Sequence, residues 1–138
     1  MAAFHDPPGV WRPFGAFSQL AWPGDGQLLF LKGQVALDAA GNIVGRGDMA
    51  AQVRQVLENT RLLLAAVGGS MTDVLALTQH ATDIEAFLQT GEVRRSFFKP
   101  PYPVTTTVEV SRLYDHALLI EITAVAEIPR GRFRAPGS

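Results

Sequence analysis

The chain has 138 residues, enough for one domain with a real core and too few for two ordinary ones. With 12 Lys+Arg against 13 Asp+Glu the net charge is -1, and no basic run interleaves with aromatics, which argues against a nucleic-acid partner. Cysteine is absent, which excludes disulfides, thiolate nucleophiles and cysteine-ligated metals, while 47% hydrophobic against 18% charged residues is a globular composition.

The N-terminus has no basic segment leading into an apolar stretch, so it does not read as a signal peptide. The longest apolar runs, such as Leu62-Leu63-Leu64-Ala65-Ala66-Val67, fall far short of the ~20 residues that span a bilayer. The expectation is a soluble, cytoplasmic protein without a membrane partner.

Residues 1–13 carry His5, Pro7, Pro8, Trp11 and Pro13, a proline-rich opening that cannot be regular helix and is expected to be loose. Residues 14–22 have strand character, closed by the turn cluster Pro23-Gly24-Asp25-Gly26. Residues 27–34 form the next predicted strand, whose run Leu28-Leu29-Phe30-Leu31 suits a strand covered on both faces. Val35-Ala36-Leu37 continues the sheet, and residues 38–42 turn the chain back into Ile43-Val44.

Asp48 is a good N-cap for a helix over about 49–67, where Val53, Val56, Leu57, Thr60, Leu63, Leu64 and Val67 form one apolar stripe. Arg54, Glu58 and Arg61 take its solvent side, and Gly68-Gly69 ends it. Residues 72–82 read as a strand. A shorter helix follows over 92–98, with Thr90 as a candidate cap and Val93, Phe97 and Phe98 facing inward. Pro100, Pro101 and Pro103 then deliver the chain into a strand over 104–110, and the last strand spans 117–128 after a turn at Tyr114-Asp115-His116. The Gly/Pro-rich, basic tail over 130–138 is expected to be loose. This order gives an α+β sheet with both helices on one face, and the apolar face left over predicts self-association.

Several segments in this order resemble the RidA/YjgF (Rid) family of enamine and imine deaminases. Gly15-Ala16-Phe17-Ser18-Gln19 is similar to the family's Gly-Pro-Tyr-Ser-Gln, and the strand ending in Lys32-Gly33-Gln34 to its Ser-Gly-Gln. The first helix with its glycine stop, Asp83-Ile84, Phe97-Phe98, Pro103 to Val110, Arg112-Leu113 and Ile120 to Ala126 continue the match, over roughly residues 14–129. The resemblance implies a single domain over 1–138 with a chorismate-mutase-like fold: a mixed sheet with two helices on one face, assembling as a homotrimer with clefts between subunits. It also implies hydrolytic release of ammonia from small carboxylate-bearing enamines or imines, with no metal or organic cofactor. In such members an arginine holds the substrate carboxylate and a glutamate on the last strand positions water.

Carried over residue by residue, the pattern gives an unusual site. The arginine position is Thr105, and the frequently cysteine position two residues on is Thr107. The second glutamate of Glu-Ile-Glu is Thr123, with the first kept as Glu121. Phe17 replaces the tyrosine, Lys32 the serine, and Gly91 stands where asparagine is common; Gly33 is kept. Strand periodicity puts Thr105, Thr107 and Glu109 on one face of their strand, and Glu121 with Thr123 on one face of theirs, so that three threonines could line a cleft as hydroxyl donors and acceptors.

None of the threonines brings a permanent positive charge. Lys32 is the natural substitute as carboxylate holder, against the alternatives of a solvated lysine at a strand end or a lysine base. Arg94 on the second helix could supply the charge instead, or lie on a solvated face beside Arg95. His80 reads as a structural or surface histidine before a catalytic base, and with His5 and His116 it shows no metal-ligand spacing. The alternative to a Rid enzyme with a rebuilt pocket is a trimer that binds a metabolite and has lost hydrolysis.

Overall fold

The computed structural model describes residues 2–137. Residues 3–5 correct the expectation of a loose opening. Ala3–His5 (β1) pairs antiparallel with Leu20–Trp22 (β2), and the Asp6 carboxylate accepts from Gln19 N at 2.8 Å. The segment between them, expected to be strand from residue 14, is irregular until Leu20.

The main sheet has four strands: Gln27–Phe30 (β3), Val74–Ala81 (β4), Val104–Glu109 (β5) and Ile120–Ile128 (β6), in the order β3-β6-β4-β5. β6 runs antiparallel to both neighbours, while β4 and β5 are parallel and joined through two short helices, Ile84–Leu88 (α2) and Gly91–Phe97 (α3). The sheet is therefore mixed, as expected, although the second helical region is two helices rather than one. Met49–Ala65 forms α1, capped by Asp48, whose Oδ1 accepts from Ala51 N at 3.1 Å.

Register fixes which residues share a face. Leu77 pairs with Thr105 and Ala124, and Gln79 with Thr107 and Ile122. Thr78 pairs with Thr106 and Thr123, and His80 with Val108 and Glu121, so these point the other way. The first face carries α1, whose Val53, Val56, Leu57 and Leu64 are completely buried, and the same core takes in Val93 and Phe98. Leu63, expected in the apolar stripe, is exposed.

The second face carries no helix. Phe30 stands 76% exposed on it, with Leu28 and Val108 also exposed. The run Leu28 to Leu31, expected to be covered on both faces, is thus an edge strand with one bare apolar side in the single chain. Gln52 locks the loops over the other end of the core. Its Nε2 donates to the Gly45 and Ala117 carbonyls and its Oε1 accepts from Leu119 N. Much of the tail is also tied down, against expectation: Arg132 pairs with the buried Asp73 at 2.6 Å, and Arg134 N donates to the Val67 carbonyl.

Candidate functional site

A cavity of about 610 Å³ opens on the helix-covered face of the sheet, where the end of β5 meets α2, α3 and residues 11–17. Thr105 and Thr107 look into it from β5 because the strand alternation that buries Leu77 and Ile122 sends them the same way. Gln79 lies beside Thr107 on β4 and donates from Nε2 to its Oγ1 at 2.8 Å. It is 2% exposed, and its Oε1 has no partner.

Arg94 reaches this cavity within its own chain. Val93 and Phe98 are buried in the core and fix how α3 lies, which turns the neighbouring Arg94 toward β5. Its Nη2 donates to Thr105 Oγ1 at 2.9 Å and its Nη1 to the Ala16 carbonyl at 2.8 Å. Thr105 Oγ1 in turn donates to the Pro103 carbonyl. The guanidinium lies 5.5 Å from the centre of the Phe98 ring, and Nε has no partner. Burial lowers its pKa to about 10, so it remains charged at neutral pH. Among the described residues no acidic side chain lines the cavity, so the cation is not neutralised from within it. A partly buried, unneutralised guanidinium beside hydroxyl groups can hold a carboxylate.

Most of the remaining wall is apolar. Trp11, Phe14 and Phe17 form a cluster of rings on one side, with centroids 5.3 to 5.8 Å apart, and Ile84, Phe87 and Leu88 stand on another. Arg95 borders the cavity as an exposed cation and lies against Gly91.

The sequence-derived site residues divide into two groups. Thr105, Thr107, Phe17 and Arg94 gather at this cavity. Thr123 and Glu121 do not join them, because β6 turns both toward the uncovered face; three threonines do not line one cleft within a chain. Gly33 lies with that second pair: a Cβ there would come within 2.8 Å of Thr123 Oγ1 and run into the Glu121 carboxylate, so a larger residue would have to displace both side chains. Lys32 is exposed and borders a separate groove with Asn59, Leu62 and Leu63, away from Thr105. Glu109, on the Thr105 face, accepts from Ile84 N and steadies the start of α2.

Gln79, Trp11 and Phe14 escape a reading of the sequence. Its place among the polar residues Thr78-Gln79-His80 hides Gln79 in the sequence, and its pairing with Thr107 follows only from the β4–β5 register.

The chain matches the sequence profile of the family described as endoribonuclease L-PSP over residues 10–128. A RutC family protein of Pyrococcus horikoshii is 38% identical over 115 residues, which is 83% of this chain and 89% of the relative. A solved structure of a Rid family protein of unknown function from Yersinia pestis superposes with a TM-score of 0.78 at 28% identity, covering 92% of this chain and 98% of that one. RidA from an Antarctic Psychrobacter gives 0.68 at 29% identity, over 85% and 92% of the two chains. A family match spanning most of the length, on a mixed α+β sheet shared with solved Rid structures, places this chain in the RidA/YjgF family.

Proposed function

We propose that the protein is a Rid-type hydrolase of small, carboxylate-bearing enamines or imines whose carboxylate is held by Arg94. The observation that carries this reading is the unneutralised Arg94 guanidinium bonded to Thr105, the position at which the resemblance expects arginine. The charge reaches the same place from α3 instead of β5. The Gln79 Oε1, buried and unpartnered, suits the N–H of an imine or enamine nitrogen.

In the reaction water adds to the C=N carbon, giving a carbinolamine. The amino nitrogen then takes a proton, the C–N bond breaks with its electron pair going to the departing ammonia, and the hydroxyl gives up its proton to leave the 2-oxo acid. An enamine first takes a proton at carbon to become the imine.

The helix-free sheet face, with Leu28, Phe30 and Val108 exposed among threonines on it, supports a homotrimer, in which Glu121 on that face would meet a neighbouring subunit and could position water there. A second reading, a metabolite-binding trimer without chemistry, is favoured by one observation: no carboxylate or imidazole among the described residues of the same chain lines the cavity to activate water. The family's endoribonuclease description is not carried to this chain, since its net charge is -1 and no basic run in its sequence interleaves with aromatics.

The test is ammonia release from 2-iminopropionate and 2-iminobutyrate generated in situ by an amino-acid oxidase or dehydratase. Acceleration over buffer, lost in Arg94→Met, is expected. No acceleration, with carboxylate binding retained, would select the second reading.

A further inference from the structure

Resting on the assignment of the Arg94 cavity as the ligand site, we infer that this cavity selects 2-imino acids with an aromatic or long apolar side chain over three- and four-carbon imines. The polar part of the lining is Thr105 with Arg94 and Thr107 with Gln79, while Thr90 gives its hydroxyl to the Phe87 carbonyl and Arg95 stands at the rim. Beyond them, six apolar side chains from two directions face the space a substituent would occupy. A cavity of about 610 Å³ is in the range that encloses a ligand of many heavy atoms, well beyond a three-carbon acid.

The ring cluster is the second observation. Phe14 is 87% exposed and Trp11 59%, yet their rings stack on each other at 5.5 Å, and Phe17 meets Phe14 edge-on at 5.3 Å. Large aromatics held in order by one another at a cavity mouth, instead of by the core, form a ready surface for an apolar group. Their placement relative to the charge is also fixed. Arg94 Nη1 bonds the Ala16 carbonyl inside the ring-bearing segment, and Gln19 Nε2 donates to the Trp11 carbonyl at its far end. A carboxylate on Arg94 is therefore presented at a set distance from the rings. The absence of any acidic lining residue disfavours a cationic side chain, and Arg95 at the rim is the group that would instead favour a second carboxylate.

The test compares kcat/KM of the full-length chain for imines made in situ by amino-acid oxidases from phenylalanine, alanine and glutamate. The phenylalanine-derived imine is expected to exceed the alanine-derived one by at least about tenfold, the discrimination an apolar pocket commonly provides. Trp11→Ala and Phe14→Ala, surface changes that should keep the melting temperature, are expected to lower that ratio by about tenfold. Equal kcat/KM for the two, a preference for the glutamate-derived imine, or an unchanged ratio in both variants would overturn the inference. If no imine is hydrolysed, calorimetric binding of phenylpyruvate and pyruvate decides it. Tighter phenylpyruvate binding that weakens in Phe14→Ala would uphold the pocket while the hydrolase reading fails, and equal affinities would sink the pocket itself.

Discussion

Replacing Arg94 with methionine separates a ligand-holding arginine from a structural one. The pKa drop from 12.5 to about 10 corresponds to roughly 3 kcal/mol against burying the charged form. Against this stand two hydrogen bonds from the charged guanidinium, to Ala16 and Thr105, at about 1.5 kcal/mol each in this part-exposed site, and about 0.5 kcal/mol from the Phe98 ring. The opposing contributions nearly cancel, so Arg94→Met should change unfolding free energy by less than about 1 kcal/mol. Binding should respond differently. A carboxylate that loses its charge-assisted bonds gives up about 1.5 to 3 kcal/mol, which is about 10- to 150-fold in Kd. Arg94→Lys, which keeps the charge but not the fork, should fall between. The sign with pH follows from the same depressed pKa. Carboxylate affinity is expected to be flat through neutral pH and to fall as the pH passes about 10, where the cation is lost. Urea unfolding and calorimetry on the same samples measure both quantities. A Kd within twofold of wild type, or a stability loss above about 2 kcal/mol, would refute the assignment.

Gln79→Leu should leave stability within about 1 kcal/mol, since an unsatisfied carbonyl leaves with the amide, but reduce preference for an imine over its 2-oxo acid about tenfold, read by competition. Gly33→Ala should cost about 1 to 3 kcal/mol in thermal unfolding, because its Cβ displaces Thr123 and Glu121; an unchanged melting temperature would show that the close approach relaxes freely. Asp73→Ala should cost about 2 to 3 kcal/mol, as the buried carboxylate bonds Ser70 N and Arg132, and truncation after Pro129 should reproduce only part of that loss.

The sheet and α1 were legible because period carries them: an alternating strand and a stripe over a capped helix show without tertiary information. β1 was not, because three residues pair with a partner fifteen or more positions away and carry no pattern of their own. The site was half legible. Strand period put Thr105 and Thr107 together, but it is silent on which side of the sheet each strand's face lies; pairing across β4 decides that, and it sends Thr123 and Glu121 away. Lys32 adjoins Gly33 in sequence and borders the same groove, yet that groove is not the one Thr105 lines, which no local pattern reveals. Arg94 was one of a pair of cations on a short helix, and only the burial of Val93 and Phe98 distinguishes it from the exposed Arg95.

The threonine at position 105 and the arginine at 94 then make sense as one exchange. Thr105 is short enough for the Arg94 guanidinium to rest on its hydroxyl. Thr105→Arg alone would crowd two guanidinium groups into the same partly buried space. Like charges about 4 Å apart at an effective dielectric of about 20 repel by roughly 4 kcal/mol, so this variant should unfold more easily or push one arginine out of the cavity. Combining Thr105→Arg with Arg94→Ser removes the repulsion and moves the charge onto β5. The double variant should recover most of the stability and bind a carboxylate more tightly than Arg94→Ser does. The Ala16 carbonyl would lose its donor, however, so the ring-bearing segment should loosen and side-chain selectivity should remain impaired. A double variant no better than the two single changes added together would mean that residues 94 and 105 do not share one ligand site.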